Sequence, residues 1–315
     1  MSWEVILPFL RPIESLIQDP DVSDILINAS GRVFVEKFGR LQEASGLKLS
    51  EKSLQIAARH IARVLGGDVS EEKPLLDARL PDGSRVAAVL PPCSIGGTVL
   101  AIRKFQSKRY TADELVRVGT LTPELLLQLK TAVELRQNIM IAGSCGAGKT
   151  TLLNALTAFI ANDERIIVIE DTAEVQIQKD NLVRLEARRE QPPVTMRDLL
   201  TESLRLRPDR ILIGEVRGGE AFDFLQALNT GHSGTLCTIH ANSASLGVAR
   251  FATCVLQSEM DLPYKAIRAN IAETLDLVVH LGRRSERRVV TGLVRIKRYD
   301  PAEDCFQFET LYEAA

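Results

Sequence analysis

The sequence predicts an α/β fold built on a central parallel sheet and preceded by a small α+β domain. Three observations predict it. Gly143-Ser144-Cys145-Gly146-Ala147-Gly148-Lys149-Thr150 fits the pattern G-x-x-x-x-G-K-[ST] in full. An apolar, strand-like run at 138–142 precedes it and a helix-like run at 151–160 follows, which is the order a phosphate-binding loop requires. Further apolar runs at 165–169, 210–213 and 235–239 alternate with helical patterns, as in a sheet whose strands return through helices.

In chain order, residues 3–19 predict a helix with Ile6, Phe9, Leu10, Ile13, Leu16 and Ile17 on one stripe, and Trp3 packing with it. Strands are expected at 24–28 and 32–37, joined through Ser30-Gly31. A helix is expected over 50–65, with Ser50 as cap and Gly66-Gly67 as its end. Pro81-Asp82-Gly83-Ser84 marks a turn between extended segments, and strands are expected at 85–90 and 98–102. Residues 1–104 thus form the α+β domain. The basic stretch 105–120 has little buried pattern and is expected as a linker. Thr122-Pro123-Glu124 opens a helix with a Thr cap, a Pro at the first helical position and an acid in the first turn, and starts the domain at 121–315.

The bulk numbers narrow the class. The chain of 315 residues is 45% hydrophobic and 25% charged, ordinary for a globular protein of about two domains. A net charge of −2 gives no general attraction to nucleic acid or anionic membranes. No apolar run approaches the ~20 residues of a membrane helix. The start of the chain lacks a basic leader. The five cysteines, Cys93, Cys145, Cys237, Cys254 and Cys305, are scattered and form neither a metal spacing nor a disulfide framework. The expected setting is the cytoplasm.

The phosphate loop has a physical logic. Glycines let backbone N–H groups converge on phosphate oxygens, and the helix N-terminus adds partial positive charge. Lys149 can reach the outer phosphates of ATP, and the Thr150 hydroxyl can hold Mg²⁺. Three later segments add chemistry. Strand 165–169 ends in Glu170, Asp171 and Glu174, and one of these acids could position the attacking water. Strand 210–213 delivers Glu215, a carboxylate able to hold Mg²⁺ through its water shell. His232 and His240 flank the run at 235–239 with no third ligand at metal-site spacing, so coupling of the γ-phosphate to a moving element suits them better. The run Arg283-Arg284-Ser285-Glu286-Arg287-Arg288 reads as a solvated hairpin turn, with contact to acidic lipid or a membrane protein as the alternative. The stretch 186–190 reads as a solvated loop.

Together these segments resemble the Walker A, Asp box, Walker B and His box of the secretion ATPases, which power type II and type IV secretion, conjugation and type IV pili. The N-terminal pieces 24–28, 80–86 and 101–105 resemble the branch serving tight-adherence pili and conjugation. The resemblance implies a RecA-like P-loop core that hydrolyses ATP with Mg²⁺. It implies that Gly143, Ser144, Gly146, Ala147, Gly148, Lys149, Thr150 and Thr151 hold the nucleotide and Thr150 and Glu215 the metal. Glu174 would be the general base, His232 and His240 nucleotide sensors, and Arg85 and Arg103 arginine fingers. It further implies a homo-hexameric ring, a hinge at 104–109, peripheral contact with the inner membrane and an inner-membrane platform protein as partner.

The loop departs from the family's Gly-Gly-Thr-Gly-Ser-Gly-Lys at Ser144, Cys145 and Ala147, with Cys145 expected as a buried, inert thiol. The four-cysteine zinc module of type II members is absent from the sequence. Two other classes compete. A nucleic-acid motor needs stacking aromatics and a cationic channel, against 5% aromatics here, so direct nucleic-acid binding is not expected. A nucleotide switch without turnover is opposed by the retained Glu174.

Overall fold

The computed structural model describes residues 7–37, 39–80, 82–105, 110–188, 192–260, 262–284 and 287–314. It divides into two compact units, Met1–Lys108 and Arg109–Ala315.

The first unit is one antiparallel sheet with a helix packed on it. The continuous helix expected over 3–19 is broken. Short 3₁₀ turns at Leu7–Phe9 and Arg11–Ile13 precede α1, Glu14–Gln18. Pro8 and Pro12 explain the break, since proline removes an N–H and crowds the preceding turn. The stripe still works, with Leu10, Ile13 and Ile17 buried; Trp3 and Ile6 lie outside the described residues. Strands β1 (Val22–Ile27), β2 (Arg32–Lys37) and β3 (Arg40–Lys48) form a meander. Helix α2 (Glu51–Val64) starts where Ser50 Oγ accepts from the Ser53 N–H, and it buries Leu54, Ala57, Ala58, Ile61 and Ala62. Strands β4 (Leu75–Arg79), β5 (Arg85–Val89) and β6 (Val99–Arg103) complete the order β3-β2-β1-β6-β5-β4. Edge strand β4 lies where an extended segment was expected before the turn at 81–84, whereas edge strand β3 was missed. β3 is polar and mostly exposed, so it carries no alternation of apolar residues to read.

The second unit has helices on both faces of an eight-stranded sheet. Part of the stretch expected as linker is folded into it. Helix α3 (Ala112–Arg117) begins with a capping box between Thr111 and Glu114 and buries Ala112 and Leu115. Residues 106–109 lie outside the described residues. Then follow α4 (Pro123–Glu134), β7 (Ile139–Gly143), α5 (Lys149–Leu156), β8 (Ile166–Glu170), β9 (Leu182–Glu186), α6 (Met196–Ser203), β10 (Arg210–Val216), α7 (Glu220–Asn229), β11 (Leu236–His240), α8 (Ala244–Leu256), α9 (Tyr264–Thr274), β12 (Leu277–Arg284), β13 (Arg287–Asp300) and β14 (Cys305–Glu313). The order is β14-β13-β12-β7-β11-β10-β8-β9. Strands β12, β7, β11, β10, β8 and β9 pair in parallel, and β13 and β14 add an antiparallel edge.

All five residues of β7 and of β8 are buried. That is what a sheet covered on both faces demands, and it is why these strands read as unbroken apolar runs. The chain leaves β7 and returns at β8, with β11 and β10 between them. Such a reversal opens a crevice at the carboxyl ends of the strands, where ligands of open α/β sheets bind.

Candidate active site

The phosphate loop joins the end of β7 to α5 at this crevice. Gly148 caps α5 with φ of 96°, a left-handed conformation that a side chain disfavours. The Lys149 side chain is buried and folds back on the loop. Its Nζ donates to the carbonyls of Gly143 at 3.2 Å and Ser144 at 3.1 Å, and lies 3.2 Å from His240 Nδ1. Burial lowers the Lys149 pKa, and the Glu215 carboxylate opposes that shift. Thr150 and Thr151 open α5 beside it, both half-buried. Cys145 is exposed, contrary to the buried thiol expected, because it sits on the outer turn of the loop. The buried thiols are Cys254 on α8 and Cys237 on β11, and burial pushes the Cys237 pKa up to about 12.

A chain of charges runs from Lys149 across the strand ends. His240 closes β11 opposite Gly143, so register alone delivers it to the lysine. Burial, and then the neighbouring Lys149 charge, lower its pKa, which favours neutral imidazole. Lysine has no acceptor, so Nδ1 accepts from Lys149 and the proton falls to Nε2. That Nε2 lies 2.7 Å from Glu215 Oε1. The approach is not aligned as a hydrogen bond, and Oε1 is a buried acceptor without an aligned donor. Glu215 Oε2 accepts from Arg217 at 2.7 Å, and Arg217 also reaches Asp171 Oδ2 at 3.1 Å. The hydrogen bond to Glu215 raises the Arg217 pKa further.

The three acids at the end of β8 have separate surroundings. Glu170 is buried, and its Oε1 accepts from the N–H groups of Glu174 at 2.8 Å and Val175 at 2.8 Å. Burial raises its pKa. Gly214 on β10 makes room, since a Cβ there would lie 2.8 Å from Glu170 Cγ. Asp171 pairs with Arg217. Glu174 alone has an exposed side chain, and its charge is felt at both Lys149 and Arg217. Asn154 Oδ1 on α5 accepts from the Gln176 N–H at 2.9 Å and ties this acidic loop to the helix behind the phosphate loop.

Not every expected residue joins. His232 lies before β11, where its Nδ1 is 3.2 Å from the Ala227 carbonyl at the end of α7. Five strand residues at roughly 3.3 Å each separate that edge of the sheet from the phosphate loop. Arg85 and Arg103 are cross-strand neighbours in the first unit, where Arg85 is 3.5 Å from Asp77 and Arg103 is 3.0 Å from Asp24. Arg217 and Asn154 had no role assigned from sequence. Arg217 is the first residue past β10, two residues after Glu215, close enough in sequence for the two side chains to pair. Asn154 lies one helical turn beyond Thr150, on the same face. In the 186–190 stretch, expected as a solvated loop, Glu186 instead ends β9 and its Oε1 accepts from the Ala173 N–H at 3.1 Å. Residues 189 and 190 lie outside the described residues.

This crevice brings together a buried lysine, a histidine, a glutamate paired with an arginine and an exposed carboxylate. Residues 9–306 match the family described as Type II/IV secretion system protein. The chain belongs to that family. It is an ATPase of the family, similar along most of its length to members named for conjugation and type IV secretion. The conjugal transfer protein TrbB of Rhizobium radiobacter is 34% identical over 287 residues, spanning 90% of this chain and 86% of TrbB. The type IV secretion system protein VirB11 of Brucella suis is 36% identical over 303 residues, spanning 86% of this chain and 84% of VirB11. The crystal structure of the Brucella suis VirB11 ATPase with sulphate matches at 32% identity and a TM-score of 0.51, covering 92% of this chain and 97% of that one. The Legionella pneumophila ATPase DotB, at 21% identity and a TM-score of 0.66, covers 94% of this chain and 82% of its own and shares the fold.

The residues of this secretion ATPase fit a divalent ion. Among the described residues no group of three His, Cys, Asp or Glu side chains forms a metal cage. The donors on offer are the Thr150 hydroxyl and the buried, unaligned Glu215 Oε1, which suits an ion that arrives with the phosphates and keeps several waters. When bound, such an ion neutralises charge developing on the β- and γ-phosphates. Among the described residues no helix is long and apolar enough to cross a membrane.

Proposed function

We propose that this chain is one subunit of a homo-hexameric, Mg²⁺-dependent ATPase ring that drives type IV secretion or conjugative transfer from the inner face of the cytoplasmic membrane. The observation that carries the reading is the continuous path Lys149–His240–Glu215–Arg217–Asp171 at the strand ends. A γ-phosphate arriving at Lys149 would break into that path at its first member. His240 would then trade the lysine for a phosphate oxygen, and Arg217 would be free to re-pair. Binding energy would thereby reach β10 and β11, and hydrolysis would release it.

In this reading Gly143, Ser144, Gly146, Ala147, Gly148, Thr150 and Thr151 hold the phosphates through backbone N–H groups and hydroxyls. Glu174 takes the proton from the attacking water, on a loop fixed by Glu170. Glu215 and Thr150 serve the metal. Arg85 and Arg103 are arginine fingers that reach a nucleotide once their present carboxylate partners are exchanged, and 104–109 is the hinge. His232, remote from the phosphate loop within its own subunit, acts at a subunit boundary. The partner at the membrane is a platform protein of the secretion system.

The ring requirement gives the test. Hydrolysis per subunit should rise with protein concentration in step with hexamers seen by sedimentation velocity, and Arg85→Ala and Arg103→Ala should lower the plateau without preventing assembly. Full turnover by a monomer at all concentrations would contradict the ring, and full turnover by both arginine variants would contradict the fingers.

A further inference from the structure

Sheet order gives the direction in which a nucleotide crosses this site. His240, Glu215, Arg217 and the acidic loop belong to β11, β10 and β8, all on one side of β7. The terminal phosphate therefore faces that side. A polyphosphate threaded through the loop between β7 and α5 must send its α-phosphate and nucleoside out on the other side, where the neighbour is β12.

The β12–β13 hairpin stands there, and the charges on its two faces are separated. Leu281 pairs with Gly143, and the hairpin runs on beyond that pair along the phosphate loop. A methyl group at Gly146 would lie 3.1 Å from Arg283 Nη2, and one at Gly148 would lie 3.5 Å from Arg288 Cδ. Arg283 and Arg288 are direct cross-strand partners and so share a face. Arg284 and Arg287 form the next pair, on the opposite face, where Arg284 donates to the Ala314 carbonyl at 3.0 Å. Like charges placed directly opposite on a strand pair cost stability. The cost falls when an anion or an aromatic face lies between them.

We propose that Arg283 and Arg288 form the nucleoside end of the site, binding the α-phosphate and the face of the base. The basic run that the sequence presents as a solvated turn is then half binding surface and half solvated. The proposal rests on nucleotide occupying the phosphate loop.

Calorimetric titration of the full chain with ATP, ADP and tripolyphosphate tests it. Wild type must bind ATP; if it does not, the phosphate-loop reading fails and this proposal with it. Arg283→Ala and Arg288→Ala should each weaken ATP and ADP binding about tenfold, with a smaller loss for tripolyphosphate, which has no base. The double variant Arg284→Ala/Arg287→Ala removes twice the charge of either single variant from the other face of the hairpin and should bind ATP within about twofold of wild type. Unchanged ATP affinity in both Arg283→Ala and Arg288→Ala would overturn the proposal. So would an equal loss in the opposite-face variant. Retained ATP affinity with lost binding to phosphatidylglycerol vesicles would make the hairpin a membrane contact instead.

Discussion

At the N-terminal edge of the second unit's sheet, Arg210 is fully buried and closed on all sides. It meets both oxygens of Glu164 at 2.8 and 2.9 Å and the Gly234 carbonyl at 3.2 Å. Arg136 shares Glu164 and also donates to the Asp209 carbonyl. At the C-terminal edge, Lys149 is also buried but touches two backbone carbonyls and a histidine, with no carboxylate in contact. Glu215 there keeps one buried oxygen without an aligned donor. The same sheet thus ends in a finished ion-pair network on one side and an unfinished one on the other. A finished network has nothing to gain from a ligand. An unfinished one gains from any group that brings the missing charge, and for Lys149 the proposed group is a phosphate.

The contrast can be broken by paired substitutions. Lys149→Ala should cut turnover by about 10²–10³-fold, the scale of removing one group that stabilises transition-state charge. It should leave the urea midpoint at or above wild type, because it removes a buried cation. Arg210→Ala should do the reverse. It leaves Glu164 with Arg136 as its remaining cation and the Gly234 carbonyl without its donor, and should cost about 3 kcal/mol of stability in urea denaturation, while the folded fraction still binds ATP. Exchange of these two outcomes would invert the assignment of the two edges.

Within the active edge, Glu170 and Glu174 make a sharper pair. Glu170→Ala leaves two N–H groups unmet and should cost about 1–3 kcal/mol and slow turnover. Glu170→Gln retains an acceptor oxygen for both and should keep turnover near wild type. Its pH dependence carries a sign. Burial raises the folded pKa of Glu170, so the wild type loses stability as pH climbs from the ordinary carboxylate range through that raised value. Glutamine carries no such loss. The stability of Glu170→Gln relative to wild type should therefore rise across that window in urea titrations at stepped pH. A flat difference would place an unperturbed carboxylate at this position.

The two histidines give the smallest contrast. His240→Ala should weaken the response of hydrolysis to ATP, whereas His232→Ala should leave the ATP affinity of an isolated subunit within about twofold of wild type. A large loss of subunit affinity in His232→Ala would mean that the N-terminal edge communicates with the phosphate loop.

Much of this was legible in the sequence, for identifiable reasons. The phosphate loop requires glycine and lysine at fixed places, so its chemistry is local and the pattern gives it away. Strands buried on both faces must be apolar throughout, which made β7, β8, β10 and β11 readable to within a few residues. Their ordering, and with it the meeting of Lys149 with His240, is a long-range matter of parallel pairing that no local pattern states. The structural role of Glu170 was also hidden. Glu170, Asp171 and Glu174 are all acids at one strand end, and only burial shows that Glu170 turns inward onto the N–H groups of its own loop. Arg283 and Arg288 were hidden differently. A run of arginines looks the same whether it faces water or a phosphate loop, and only the hairpin register separates its two faces. The N-terminal helix was misjudged because its apolar stripe persists while Pro8 and Pro12 interrupt the hydrogen bonding.

The most direct measurement is ATP hydrolysis with Mg²⁺ by wild type and Glu174→Gln at concentrations that permit assembly, with ATP affinity measured alongside. The account predicts turnover in wild type, a fall of at least about 10²-fold in the variant and retained ATP binding. Equal turnover in the two proteins would contradict it and would remove Glu174 from the role of base.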